Sequence, residues 1–214
     1  MSVDVSRARA EAEAFKALIE GKIHKLIEEF AEGTLSREQF QVLYERYNGR
    51  LSIATQALMS GNPEAIKIAQ SGPSTIMVRD TYMGRAMGMV IYHDASGKLI
   101  ETLGNFDVPP ASVTVTLMEF DNSRRAGEYI ERKIVQIKPS QWLAFFPAKT
   151  TTVIVSFKNE PSSTQIRDIE RIHHDFELAN RVFLEMDTVN VDELADPFIV
   201  FLQKWAEDDS KTAH

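Results

Sequence analysis

The side chains best suited to chemistry are the histidines, and two of the five stand together in His173-His174-Asp175. Two imidazoles beside a carboxylate can hold Zn²⁺ or move a proton. The apolar spacing around them predicts a helix, however, and adjacent helical residues point about 100° apart. The three side chains are therefore not expected to converge, and a structural or surface role is the better interpretation. No histidine pairs with a second histidine and a carboxylate at metal-ligand spacing, so we expect no metal site.

The other candidate groups are scattered along the chain rather than gathered into a motif. Turn or cap roles account for most of the dispersed aspartates, which are Asp80, Asp94, Asp107 and Asp121. Arg124-Arg125 could contact an anion, although a solvated helix end explains the pair more simply. The sequence has no phosphate-binding GxxxxGK[ST] loop, no dinucleotide fingerprint and no nucleophile elbow. We therefore expect no catalytic residue, no cofactor and no enzymatic activity.

The composition is ordinary for a soluble globular protein. The 214 residues carry a net charge of −7, 43% of them are hydrophobic and none is cysteine. No basic stripe with interleaved aromatic residues is present, so nucleic acid is not an expected partner. The first residues lack the apolar core of a signal peptide, and no apolar run approaches the ~20 residues of a membrane span. We expect a cytoplasmic protein without a membrane span.

The elements that must position these side chains run from residue 86 to residue 186. Residues 87–93 and 98–104 are β-prone runs on either side of an Asp-Ala-Ser-Gly turn, which predicts a β-hairpin. Three more strands are predicted at 130–137, 141–146 and 151–157. Their short, proline-containing connections favour antiparallel neighbours. A capping box formed by Ser162 and Gln165, followed by an apolar stripe to Met186, predicts a long closing helix.

Residues 108–128 give conflicting signals. Residues 112–117 (SVTVTL) alternate and are rich in β-branched side chains, so local propensity favours a strand. Pro109-Pro110 can open a helix, however, and Arg124, Arg125 and Gly127 are typical of a helix end. We favour a helix on topological grounds, and a strand is the alternative.

Two amphipathic helices are predicted before the sheet, one at residues 4–32 and one that carries its apolar stripe from Phe40 to Leu58 and ends near Gly61. Ser36 and Gln39 match a capping box at the start of the second helix, and the short loop predicts a helical hairpin. A short turn or helix is expected near 62–70, and residues 75–85 are interpreted as an extra strand or a loop. We divide the chain into a helical arm (1–70), a sheet domain with its closing helix (71–187), and a C-terminal helix with an acidic tail (188–214).

These elements predict an α+β protein, with a five-stranded antiparallel sheet flanked by helices, an N-terminal helical hairpin and a C-terminal helix. The element order over residues 86–186 resembles the roadblock (dynein light-chain) family of the longin and profilin-like group. The matching residues are the hairpin GMVIYHDASGKLIETLG (88–104), then a helix-like segment, an edge strand (130–137), a hairpin (141–157) and a final helix. The resemblance covers a little under half of the chain.

The resemblance implies a dimeric scaffold or regulator without an active site. Roadblock-like domains commonly form homodimers through the helix after the first hairpin and the strand that follows it, and they regulate small Ras-like GTPases. Carried over to this chain, the dimer face of the helix would be Val113, Leu117 and Phe120, and the paired strand would carry Ile134 and Gln136. We expect a homodimer with a small Ras-like GTPase as a further partner. Phe120→Asp is expected to weaken the dimer while leaving the protomer folded.

Two alternatives stay open. PAS and GAF sensor domains share this kind of antiparallel sheet and bind small ligands, and a structural assembly protein would use its helices as arms. A void of roughly several hundred Å³ inside the sheet domain favours the sensor, because roadblock-type cores are filled by side chains. Three apolar helical stripes exceed what one sheet can cover, which favours self-association through the sheet domain, the helical arms or both.

Overall fold

The computed structural model describes residues 2–60, 73–186, 189–195 and 198. These residues divide into two compact units, one within residues 1–83 and 162–164 and the other within residues 84–161 and 165–214. We call them the helical unit and the sheet unit. The predicted α+β class is confirmed. The predicted boundary near residue 71 lies earlier in the chain than the division between the two units.

The helical unit contains the predicted hairpin, formed by α1 (Ser2–Ala31) and α2 (Arg37–Ser60). After α1 the chain turns at Gly33, which has a φ of 79°. Ser36 then opens α2 through the predicted capping box. Its hydroxyl accepts a hydrogen bond from the Gln39 amide, and its amide donates to the Gln39 side chain, both at 3.1 Å. The buried stripes of the two helices form one core, which includes Phe15, Ile19, Leu26, Leu43, Tyr47 and Ala54.

A third helix, α3 (Thr75–Thr81), stands where the sequence predicted a strand or a loop. Ser74 caps it by accepting a hydrogen bond from the Met77 amide at 3.1 Å. The Gln39 side chain donates to the Arg79 carbonyl oxygen at 3.0 Å, and the Arg79 side chain pairs with Glu29 of α1 at 3.0 Å. The prediction is wrong because the cap and these tertiary bonds outweigh the β propensity of the Thr-Ile-Met-Val run.

The sheet unit contains five strands, paired antiparallel throughout in the order β2-β1-β5-β4-β3. They are β1 (Arg85–His93), β2 (Lys98–Gly104), β3 (Lys133–Lys138), β4 (Gln141–Pro147) and β5 (Thr151–Lys158). The central strand β5 is buried from Thr151 to Phe157, so it is covered on both faces. β2 and β3 form the two edges.

One long helix packs on each face of the sheet: α4 (Pro110–Ala126) and α5 (Ser163–Leu184). Successive strand residues point to opposite faces. In β5, Ile154 joins the core under α4, whereas Val153 and Val155 join the core under α5. From α4 the first core receives Val113 and Phe120, and from α5 the second receives Ile166, Ile169 and Phe176.

Residues 112–117 are helical, so the conflict between strand and helix is settled in favour of the helix. Pro110 stands in the first turn, where its missing N–H costs nothing. Gly127 ends the helix in the left-handed conformation, with a φ of 69°, and its amide donates to the Arg124 carbonyl oxygen at 3.0 Å. Val113 and Thr116 are buried. Burial of β-branched side chains against the sheet therefore outweighs their weak helix propensity.

After α5 the chain turns back onto the sheet unit. Asn180, buried in α5, donates to the Ala195 carbonyl oxygen and accepts from the Ala195 amide, both at 2.7 Å. Phe198 is buried, with its ring centroid 5.7 Å from that of Phe176. Of the terminal helix predicted at 191–205, the structure describes a single 3₁₀ turn at Val191–Glu193, the next two residues and Phe198, and the remainder lies outside the described residues. So do the acidic tail from Glu207 onward and the whole of the turn or helix expected near 62–70.

Candidate functional site

A groove in the sheet unit combines apolar walls with a buried charged pair. It lies between α4 and the strands β1 and β2, and its volume is about 750 Å³. Val90 and Tyr92 come from β1, Leu99 from β2 and Leu117 from α4, while Val108 belongs to the connection before the helix. These residues form the apolar part of the lining, and the remainder is polar or charged and includes Asp121 and Arg125.

The position of α4 explains why the groove exists. Phe120 of α4 meets Phe145 of β4 edge to face, with 6.3 Å between ring centroids. One residue earlier in the helix, Glu119 pairs with Lys133 of β3 at 2.5 Å. These contacts hold α4 over β4 and toward β3. The face of the edge strand β2 is therefore left partly uncovered: Leu99 is 50% exposed, whereas Val90 of β1 is only 4% exposed.

Asp94 and Arg124 form the polar end of the groove. The Arg124 Nη2 lies 2.5 Å from Asp94 Oδ2. The Arg124 side chain is 24% exposed and the Asp94 side chain is 8% exposed. Thr152 of β5 links them, because its hydroxyl donates to Asp94 Oδ1 at 2.7 Å and accepts from Arg124 Nη2 at 3.0 Å. Asp94 Oδ2 is buried and accepts no aligned hydrogen bond from the described residues, so its contact with Arg124 is an ion pair only.

Burial raises the pKa of Asp94 to about 6. The hydrogen bond from Thr152 and the charge of Arg124 favour the ionised carboxylate, but they do not offset the cost of removing it from water. The charge of Glu177 adds to the effect of burial, and that of His93 opposes it. The groove therefore contains a carboxyl group whose protonation changes close to neutral pH.

Local backbone geometry brings Asp94 to this position. Asp94 begins the turn after β1, and its amide donates to the Thr150 carbonyl oxygen at 2.9 Å. The turn closes through the Gly97 amide, which donates to the His93 carbonyl oxygen at 2.8 Å, with Gly97 at a φ of 66°. The buried His93 ring anchors the start of the turn: its Nε2 lies 3.1 Å from the Leu184 carbonyl oxygen and must donate to it.

A second polar cluster supports the turn between β4 and β5. Glu177 Oε1 accepts hydrogen bonds from the amides of Thr150 and Thr151 at 2.8 Å and from both of their hydroxyls at 2.9 Å. Although burial raises the pKa of Glu177, these hydrogen bonds outweigh it and hold the pKa below its usual value. The Thr151 hydroxyl donates to Glu177, so it accepts from His173 Nε2 at 2.8 Å.

The geometry of this cluster suits structure better than catalysis. Burial lowers the pKa of His173 to about 4, so the imidazole is neutral at pH 7. Thr151 is 0% exposed, and its hydroxyl is therefore closed to any substrate. His173 is buried, whereas His174 and Asp175 are exposed, so the prediction that the three do not converge is confirmed.

The structure separates the five residues that the family resemblance assigned to a dimer interface. Val113 and Phe120 are each 5% exposed and belong to the protomer core, and Leu117 is half-buried beside the groove. Ile134 and Gln136 are exposed on β3, but their neighbours in the strand face α4 instead. The three residues of α4 and the two residues of β3 therefore lie on different faces of the sheet. The expectation that Phe120→Asp would leave the protomer folded is wrong, because it places a charge in the core.

Sequence reasoning missed the pairing of Asp94 with Arg124. It assigned Asp94 to a turn, which is correct. For Arg124 it preferred a solvated helix end to an anion contact, whereas the side chain is only 24% exposed and lies against the Asp94 carboxylate. Capping residues and periodicity locate each residue in its own element. The pairing depends on how α4 crosses the sheet, and no local signal in the sequence reports that crossing.

The described residues contain no group of histidine and acidic side chains arranged to hold a metal ion. Within the same residues, no helix combines the length and the apolar character that crossing a membrane requires. No family model matches the chain, and a search among curated proteins found no match.

Proposed function

We propose that the sheet unit is a non-enzymatic ligand-binding module, of the small-ligand sensor kind, which holds a small amphipathic molecule in the groove beside α4. The observation that carries this proposal is the groove itself. Its volume of about 750 Å³ lies within the range of roughly 300–1,000 Å³ that is usual for ligand sites. Apolar walls and a small number of buried polar atoms are also typical of such sites.

The residues of the groove indicate how such a molecule is held. Its apolar part packs against Leu99, Val108 and Leu117. Its polar part meets Arg124, which lines the polar end of the groove and is the more exposed member of the charged pair. Two converging groups with opposed pKa shifts would support catalysis instead, but His173, whose pKa is lowered, does not line this groove. The proposal is therefore one of binding without chemistry.

A pair of tryptophan variants on α4 tests the proposal, with the dye 8-anilinonaphthalene-1-sulfonate as the apolar probe. Thr114 lines the groove, whereas Val115 is 61% exposed and does not line it. We expect Thr114→Trp to fill the groove and weaken dye binding at least about tenfold, and Val115→Trp to bind like the wild type. Both variants should unfold in urea near the wild-type midpoint. Equal binding by the two variants would contradict the proposal.

A second candidate function is a roadblock-like homodimeric scaffold that engages a small Ras-like GTPase. Two surface features favour it. The outer side of α4 exposes Val115 and Met118, each 61% accessible, and β3 is an edge strand. Edge strands present unpaired backbone groups that can pair with another chain. In the family that the sequence resembles, the corresponding helix and strand form the dimer.

Light scattering tests this second candidate. The wild-type chain should have twice the protomer mass at micromolar concentration, and Val115→Asp should halve that mass. Leu178→Asp is the matched control, because Leu178 is equally exposed at 61% but lies on α5. The measurement is then repeated with candidate GTPases present. A wild-type protein that is monomeric at every concentration excludes the homodimer.

A further inference from the structure

A stack of three aromatic rings, of which the two outer ones are exposed, lies on the helical unit. Phe30 of α1 stacks on Phe40 of α2, with 4.4 Å between ring centroids, and Phe40 stacks on Tyr44, with 5.4 Å between centroids. Phe30 is 39% exposed and Tyr44 is 37% exposed. We call these three residues the aromatic patch. Phe40 is partly buried and also packs against the core that contains Leu43 and Tyr47.

A shallow groove of about 690 Å³ runs along the aromatic patch. Its polar border is formed by side chains of α2 spaced four residues apart, Arg37, Gln41 and Glu45. Residues with this spacing lie along one side of a helix. Opposite charges therefore stand at the two ends of the border, about 12 Å apart along the helix axis, with Gln41 midway between them.

This arrangement of charges is complementary to itself. If a second α2 lies antiparallel to the first, with a two-fold axis at Gln41, then Arg37 of each copy faces Glu45 of the other. The same operation brings the two aromatic patches together. An isologous contact needs only one surface whose pattern matches its own two-fold image. Aromatic residues are enriched at protein interfaces, and complementary charges fix the register of the two partners.

We propose that the aromatic patch is a self-association surface whose occupant is a second copy of this chain, with the two α2 helices antiparallel. The surface is small, so the dimer forms reversibly and weakly. This inference is independent of the ligand groove and of the α4 and β3 surface, because it uses residues of the helical unit only. The helical unit thereby acts as the arm that joins two copies of the sheet unit.

Charge-reversal variants of the full chain test the inference by sedimentation velocity over about 5 to about 200 μM. Arg37→Glu brings two carboxylates together at both charge contacts of the dimer, and Glu45→Arg brings two guanidinium groups together at the same contacts. Each single variant should weaken the dimer at least about tenfold, because like charges that meet at an interface repel. Lys22→Glu, an exposed reversal on α1 outside the border, should leave the dimer unchanged.

Mixing the two single variants gives the sharpest result. In the mixed dimer one contact joins two unchanged residues and the other joins two reversed residues, so both pairs are again opposite in sign. Association should therefore return to within about threefold of the wild type. The double variant Arg37→Glu with Glu45→Arg should recover in the same way. Urea unfolding of each variant checks that the protomer is folded. A wild-type chain that stays monomeric, a dimer insensitive to Arg37→Glu, or a mixture that fails to associate would each overturn the proposal.

Discussion

Asp94→Asn tests which of two opposing effects controls the polar end of the groove. Burial favours the neutral carboxyl, whereas Arg124 at 2.5 Å and the Thr152 hydroxyl at 2.7 Å favour the carboxylate. The balance places the pKa of Asp94 near 6, above the ordinary value of 3.8. Asparagine keeps the size of the side chain but cannot ionise, so it removes the pH dependence that this group contributes.

The sign and the size of the effect follow from linkage. With its pKa raised, the folded state binds more protons than the unfolded state, so the stability from this group is present at low pH. It is lost as the pH rises through the folded-state pKa of about 6. Each pKa unit corresponds to about 1.4 kcal/mol. Between about pH 4 and about pH 7, the wild type should therefore lose about 2 to 2.5 kcal/mol relative to Asp94→Asn.

Urea unfolding of both proteins at the two pH values, followed by circular dichroism, gives this difference directly. All other titrating groups are common to the two proteins, and their contributions cancel in the comparison. Thr152→Val is the control, because it removes the donor to Oδ1 but keeps the carboxyl, and it should retain the pH dependence. The difference in the free energy of unfolding between the wild type and Asp94→Asn could instead stay constant with pH or change in the opposite direction. Either result would mean that Arg124 and Thr152 outweigh burial.

Three further sets of variants test the packing by urea unfolding. Phe120→Ala should lower the free energy of unfolding by about 3–5 kcal/mol, whereas Met118→Ala, at a site 61% exposed, should change it by less than about 0.5 kcal/mol. Ser36→Ala removes the cap of α2 and should cost about 1 kcal/mol. Gly88→Ala should destabilise, because its Cβ would lie 2.5 Å from backbone, whereas Gly49→Ala in α2 meets open space and should stabilise by up to about 1 kcal/mol.

The elements that local chemistry defines could be predicted from the sequence. The turn at Asp94-Ala95-Ser96-Gly97 located the hairpin, and β2 has the predicted bounds, Lys98–Gly104. The capping box at Ser36 likewise located the start of α2, because the whole signal lies within four residues. Short connections then required antiparallel pairing. These features depend on contacts close in sequence.

Elements whose local propensity opposes their environment could not be predicted in the same way. Residues 75–81 have β-prone side chains but form α3, which is held by bonds from Gln39 and Glu29 on other helices. Residues 112–117 have the same conflict and were assigned correctly only through topology. In both places packing decides the structure, and propensity is a weak prior. The groove belongs to this second class, since its walls come from separate elements.

The groove and the charged pair depend on each other. Arg124 belongs to the last turn of α4, and its contacts with Asp94 and Thr152 fix that end of the helix to the end of the sheet. Phe120 fixes the middle of the helix over β4. With both points held, α4 cannot settle onto β1 and β2, where it would cover Leu99 and close the groove. Protonation of Asp94 below about pH 6 removes the ion pair with Arg124, while the folded state as a whole gains stability because burial favours the neutral carboxyl. If the proposed ligand binds through the ionised pair, its affinity should therefore fall over the same pH range in which Asp94 takes up its proton.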